Sequence, residues 1–224
     1  MIPRVTIFST MTVDGRIASK TGYSKLSCPH DLERLHKLRA THDAVMVGAN
    51  TVVIDDPRLT VRLVPGKNPT RIVIDSALRT SPSSNVYRTP PPTILVTLRE
   101  NLDRAATEYP KGVNVIGVPA GPGGVDLRAA LEQLWRQGIR SILVEGGGRL
   151  NWSLISQGLV DTVKVTVSPT IFGAGTSFFH GEGFDGESQR VKLRLEEVVL
   201  CRCGQEVHLS YKVVEPRILP IQAE

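Results

Sequence analysis

Several stretches hold residue types whose spacing could do chemistry. Glu145-Gly146-Gly147-Gly148 follows an apolar strand pattern and precedes a helical one. Glycines at such a junction let backbone N–H groups approach an anion, and the dipole of the following helix favours a phosphate. They would equally serve a tight turn that needs positive φ, and the spacing is not Gly-x-Gly-x-x-Gly. Gly48-Ala49-Asn50-Thr51 stands at a second strand end, with Asp55-Asp56-Pro57 close behind. Adjacent carboxylates point apart in an extended chain, so Asp55 and Asp56 need not form an acid–base pair, and Asp56-Pro57 also reads as a turn opener. Asp75-Ser76-Ala77-Leu78-Arg79 closes a third strand pattern. In a dinucleotide site this position meets the adenosine ribose. An acid there suits the 2′-hydroxyl of NAD, whereas Ser76 and Arg79 suit the 2′-phosphate of NADP. Arg39 and Arg62 could grip a phosphate, because a planar guanidinium binds it with two hydrogen bonds. Either could instead be an ordinary solvated arginine.

Composition removes other chemistries. The formal net charge is +5, but the basic residues are scattered and aromatics make up only 5%. A surface that stacks bases would need more rings, so no nucleic-acid partner is expected, and anionic small molecules fit the surplus. The three cysteines, Cys28, Cys201 and Cys203, make an odd count without a Cys-x-x-Cys pair. They predict neither a disulfide framework nor a zinc site. Cys201 and Cys203, if on one strand, would face the same way and read as core filler. The five histidines show no metal spacing, so no metal site is expected. Nucleophile-elbow, Walker and zinc-deaminase signatures are absent from the sequence. No apolar leader and no run of roughly 18 apolar residues is present, which predicts a cytoplasmic protein without membrane contact. With 224 residues, one domain over 1–224 is expected.

The elements that must position these residues alternate. Strand patterns cover Val5 to Phe8, Ala44 to Gly48, Arg71 to Asp75, Thr93 to Thr97, Val113 to Val118 and Ser141 to Val144. A helix over His30 to Arg39 places Leu32, Leu35 and Leu38 near one face. A short helix opens at Asn50-Thr51. Asp126 reads as the N-cap of a helix closed by Gly138, and another helix through Leu150 and Leu154 ends at Gly158. Thr162 to Val167 alternates. Leu193 to Cys203 and Glu206 to Val214 read as a hairpin joined at Gly204-Gln205, a pair that suits a type II′ turn. The expected architecture is α/β: a mostly parallel mixed sheet flanked by helices, ending in an antiparallel edge hairpin.

Taken in order, the motifs resemble those of the riboflavin-biosynthesis pyrimidine reductases, whose fold is dihydrofolate-reductase-like. The resemblance rests on Ser9 to Ala18, Gly22-Tyr23-Ser24-Lys25, Leu38-Arg39-Ala40, Gly48 to Arg62, Val73 to Arg79, Val144 to Gly147 and Val167 to Gly175. It implies that NADPH delivers hydride to C1′ of a ribosylaminopyrimidine 5′-phosphate, opening the ribose to a ribityl chain. It also implies cofactor contacts at Thr51, Asp55 and Ser76, with Arg79 beside it, and along Gly146 and the stretch Gly147, Gly148, Arg149, Leu150, Asn151, Trp152 and Ser153. Substrate contacts are implied at Ser24, Arg39, Leu59, Arg62 and Glu145, with both arginines on the phosphate and Glu145 on sugar hydroxyls. Asp55 or Lys25 could supply a proton. Where the family often has Trp after Ser-Lys, this chain has Leu26, and that contact is not carried over. With no deaminase signature, the 2,5-diamino-6-ribosylamino-pyrimidinone phosphate is favoured over its deaminated uracil counterpart. The family habit and the apolar C-terminal strands suggest a homodimer. Dihydrofolate reductase and a non-catalytic NADP-binding module are the rival readings. Two arginines and a strand-end glutamate favour a sugar phosphate over a pterin.

Overall fold

The computed structural model describes residues 1–186 and 190–215. In chain order its elements are β1 (Arg4–Thr12), β2 (Arg16–Ala18), α1 (Pro29–Thr41), β3 (Ala44–Gly48), α2 (Ala49–Asp55), β4 (Thr70–Ile74), α3 (Asn85–Arg88), β5 (Thr93–Leu98), α4 (Leu102–Glu108), β6 (Asn114–Val118), β7 (Ala120–Gly121), β8 (Gly124–Val125), α5 (Leu127–Arg136), β9 (Ser141–Val144), α6 (Gly148–Ser156), β10 (Thr162–Ser168), β11 (Thr176–Ser177), β12 (Lys192–Leu200) and β13 (Val207–Glu215). Nine strands form one sheet in the order β12-β13-β10-β1-β9-β3-β4-β5-β6. From β10 to β6 all neighbours are parallel; β13 runs antiparallel to β10, and β12 antiparallel to β13. This is the predicted mixed sheet with its antiparallel edge. No helix among the described residues is long and apolar enough to cross a membrane.

The central strands read as continuous apolar runs because both of their faces are covered. Alternate residues of one strand enter opposite layers. Ala44 and Met46 of β3 join Ile72, Leu131, Leu134 and Leu154 on one side. Val45 and Val47 join Val73, Leu95, Val52 and Tyr87 on the other. Each fully buried side chain of this size contributes roughly 1.5–3 kcal/mol. The α5 boundaries follow the predicted signals. Asp126 Oδ1 accepts the Ala129 N–H at 2.9 Å, and Gly138 sits just past the end at φ +91°.

Two expectations are corrected. Helix α1 does not bury its leucine face: Asp31, His36 and Arg39 point inward, and Leu32 is exposed. The inward face meets polar partners instead. The Thr10 and Thr166 hydroxyls donate to Asp31, and the Arg62 N–H donates to His36 Nδ1 at 2.8 Å. A leucine count cannot see such a lining.

The C-terminal hairpin is joined by six residues, Cys201 to Glu206, rather than two. The Cys201 N–H donates to the Glu206 carbonyl at 2.8 Å, and the Gly204 N–H donates to the Cys201 carbonyl at 2.8 Å. Gly204 takes φ +72°, which glycine adopts without steric cost. Cys201 and Cys203 therefore sit in the turn and do not share a strand face. The turn brings both beside Cys28 at the start of α1.

Candidate functional site

The connection from β3 leads to β4 on one side, and the connection from β9 leads to β10 on the other. Ligands of open α/β sheets gather where the winding reverses in this way, beyond the carboxyl ends of the strands. A cavity of about 1020 Å³ opens there. The two strand ends are stitched together at its floor: the Glu145 N–H donates to the Met46 carbonyl at 3.0 Å, and the Gly48 N–H donates to the Gly146 carbonyl at 3.1 Å.

Glycines shape this floor for two separate reasons. Gly146 has φ +102°, a region side chains disfavour. At Gly148 a Cβ would lie 2.2 Å from the Ser177 carbonyl oxygen, so no larger residue fits. Helix α6 starts here with Gly147 as N-cap, and α2 starts with Gly48; neither cap offers a side-chain hydrogen bond. The first-turn N–H groups of α6 therefore lack a side-chain acceptor, next to a wall made of backbone. That arrangement fits a diphosphate. Thr51, Ser76, Arg79, Arg149 and Leu150 line the cavity alongside Gly123 and Gly124 of the β7–β8 hairpin. Ser76 Oγ lies 3.3 Å from where a Gly124 Cβ would be, so these segments share one part of the wall.

Asp75 does not face this space. It is 1% exposed, and its Oδ2 accepts both the N–H and the hydroxyl of Thr80, each at 2.8 Å. The acid at the ribose position is thus turned inward, while Ser76 and Arg79 are left on the wall. Asn151 is also fully buried. Its amide donates to the Phe178 carbonyl at 3.0 Å, so its side chain supports α6 from behind and lies outside the cavity lining. Leu26 is buried too, off the cavity wall, and its carbonyl accepts the Ser168 hydroxyl at 3.2 Å.

The other part of the wall holds Ser24, Lys25, Arg39, Leu59, Arg62 and Glu145. Arg39 and Glu145 form a forked pair: Nε to Oε1 and Nη2 to Oε2, both at 2.6 Å. Arg39 Nη1 donates to the Thr60 carbonyl at 2.9 Å. The side chains are only 8% and 9% exposed. Burial opposes the guanidinium charge, and the Glu145 carboxylate more than offsets it, so the Arg39 pKa is raised. Arg39, expected to be free for a phosphate, is thus largely committed to the glutamate. Arg62 differs. Its Nη1 donates to Thr60 Oγ1 at 2.6 Å, and its pKa is lowered, first by burial and then by the Arg39 and Arg58 charges. An anion would relieve that repulsion.

Asp55 is at the rim. Its side chain remains accessible, yet the surrounding walls remove enough water to raise its pKa. Asp56 turns away from it, accepting from the Asn85 backbone and amide at 2.8 and 2.7 Å. The two carboxylates do not act as a pair. Ser153, at the end of the stretch that the resemblance assigns to the cofactor, lines the cavity; Ser9, Asn50 and His180 line it too, although no contact was expected at them. Gly121-Pro122-Gly123-Gly124 carried a legible turn signal; nothing local marked His180.

Comparison with known proteins agrees with this geometry. The RibD C-terminal domain family matches residues 3–209. The 2,5-diamino-6-ribosylamino-4(3H)-pyrimidinone 5′-phosphate reductase of Methanothermobacter thermautotrophicus is 40% identical over 95% of this chain and 99% of its own length. A protein of the same description from Archaeoglobus fulgidus is 36% identical over 88% of this chain and 93% of its length. The RibD protein of Actinobacillus pleuropneumoniae is 34% identical over 96% of this chain, which spans 58% of that protein. Among solved structures, the deaminase/reductase of Thermotoga maritima superposes with a TM-score of 0.81 at 28% identity, over 95% of this chain and 57% of that one. A dihydrofolate reductase from Enterococcus faecalis shares the fold alone, with a TM-score of 0.54 at 15% identity over 95% of this chain and 97% of that one. The chain belongs to the RibD C-terminal domain family and is an oxidoreductase of the riboflavin-biosynthesis reductases.

Proposed function

We propose that this enzyme uses NADPH to reduce 2,5-diamino-6-ribosylamino-4(3H)-pyrimidinone 5′-phosphate to its ribitylamino product. The observation that carries the reading is the near full-length match to the Methanothermobacter reductase of that substrate. The cavity supports it with a backbone-lined anion cradle on one side and Arg62 beside Glu145 on the other.

The substrate's aminal carbon C1′ is already primed. Opening of the ribose breaks C1′–O4′: the amine nitrogen loses its proton as the C1′=N imine forms, O4′ gains one, and the nitrogen takes up a further proton when C1′ receives hydride. The nicotinamide, when bound, supplies hydride. The chain's own residues hold the substrate against that source and exclude water. Arg62 binds the 5′-phosphate, and Glu145, held by Arg39, accepts hydrogen bonds from sugar hydroxyls. Ser24 and Leu59 complete the substrate wall. Asp55 hands over a proton, a role its raised pKa favours. The glycine floor with Thr51, Arg149 and Leu150 holds the cofactor diphosphate, and Ser76 with Arg79 takes the 2′-phosphate. The exposed β12 side chains Leu195, Val198 and Leu200 support pairing of two copies through this edge. A cytoplasmic location suits a cofactor that is kept reduced there.

The test is loss of the reduced-nicotinamide absorbance with the diamino substrate and, in parallel, with 5-amino-6-(5-phosphoribosylamino)uracil. Faster turnover of the diamino compound is expected. Faster turnover of the uracil compound would keep the family and reverse the order of reduction and deamination. NADPH binding without turnover of either compound would sink the reading.

A further inference from the structure

We propose that Cys28, Cys201, Cys203 and Glu206 form a four-ligand site for one zinc-class divalent cation, which clips the β12–β13 turn onto the start of α1. The four ligand atoms all lie within 4.8 Å of one another. The Sγ atoms of Cys28 and Cys201 are 3.6 Å apart. Two sulfurs bound to zinc at about 2.3 Å and near the tetrahedral angle would be separated by roughly 3.8 Å. A disulfide would need about 2.05 Å, and all three cysteines are free. At 3.6 Å the two thiols are within hydrogen-bond reach of each other and close to the separation that a shared ion would impose.

Glu206 supplies a second, independent observation. It is 3% exposed. Its Oε1 accepts the Cys28 N–H at 2.7 Å, while its Oε2 is buried with no partner. An unsatisfied buried carboxylate oxygen is costly; a cation against it removes the cost. The Cys28 sulfur accepts the Asp31 N–H at 3.4 Å, the kind of support a metal-bound thiolate receives from its surroundings. Three sulfurs and one oxygen in a closed set suit zinc over the hard cations magnesium and calcium. Each thiol releases its proton on binding, so the loaded site carries three thiolates and one carboxylate around a divalent ion, with two negative charges in excess. Arg34 and Arg202 stand close by, on Asp31 at 3.8 Å and Glu33 at 2.9 Å, and oppose that charge.

The site joins segments 173 residues apart and lies outside the cavity lining, so its role is to anchor the edge hairpin. It is independent of the proposed reaction, and its test does not read activity. The full chain, purified under reducing conditions with zinc in the medium, should hold one zinc per chain by elemental mass spectrometry. After chelation it should take up cobalt(II) with the strong visible bands of a tetrahedral thiolate site. Cys203→Ser, in the partly exposed turn, keeps the fold and should weaken zinc binding by about tenfold or more. Zinc should raise the melting temperature of the wild type more than that of this variant. Failure to take up either metal overturns the proposal. So does recovery of a Cys28–Cys201 cross-linked peptide from the purified chain, which would identify a redox pair.

Discussion

Replacing Glu145 by Leu should be among the most damaging single changes in this protein, and the pair it breaks supplies the magnitude. Arg39 makes two 2.6 Å bonds to Glu145 and one to the Thr60 carbonyl, with its side chain 8% exposed. Removing the carboxylate leaves a buried guanidinium that cannot lose its proton, which costs about 3–5 kcal/mol. For a chain of this size that lowers the melting temperature by roughly 6–20 °C. The reverse change, Arg39→Met, should cost less, because a stranded carboxyl can take up a proton. The double variant Arg39→Met/Glu145→Leu should return close to wild-type stability, since apolar replacements of a buried pair are often near neutral. Urea unfolding of all four proteins gives the cycle, with an unchanged slope confirming that only stability moved. Additive single and double effects would refute the reasoning, because they would mean that water already separates the two charges.

Three further outcomes follow from the geometry. Arg79→Ala and Ser76→Ala should each reduce the preference for NADPH over NADH, whereas Asp75→Ala should leave that ratio unchanged and cost about 1–3 kcal/mol through the stranded Thr80 donors; a changed ratio in Asp75→Ala, by steady-state kinetics with both cofactors, would return that acid to the cofactor site. Gly148→Ala should destabilise by about 1–3 kcal/mol in thermal melts and weaken NADPH binding in calorimetry, because its Cβ meets the Ser177 carbonyl; wild-type behaviour in both would show that α6 can shift. His36 accepts the Arg62 N–H, and burial, then the Arg39 and Arg62 charges, push its pKa down to about 4. The unfolded chain therefore binds the extra proton first, and stability falls as pH drops from about 6.5 toward 4, by on the order of 2–3 kcal/mol. Urea midpoints across that window should fall more for wild type than for His36→Gln, and parallel curves would refute it.

What was legible in the sequence divides by the range of the interaction responsible. Strands such as Ser141–Val144 and the capped helix α5 follow local rules, because an apolar run or an Asp cap is complete within a few residues. The glycines before α6 were legible as a candidate anion site for the same reason. Which way a polar side chain turns was not. Asp75 and Ser76 are neighbours in the chain, yet one is tied to Thr80 inside the fold and the other lines the cavity; Thr80 is an unremarkable threonine until the loop closes. The leucines of α1 misled for a related reason. A helix buries what its partners will accept, and here the partners are Thr10, Thr166, Glu145 and the backbone of Arg62 and Leu63, all remote in sequence. The cysteines show the limit most clearly. Spacing rules for metal sites assume ligands that are close along the chain, whereas Cys28 meets Cys201 only because β13 pairs with β10 and β10 with β1. The sheet order that sets β9 beside β3 brings Glu145 beside Arg39, and the antiparallel pairing of β13 with β10 brings the hairpin turn beside α1. One long-range topology therefore builds both the oxidoreductase cavity and the thiol cluster, and neither could be read from residues taken a few at a time.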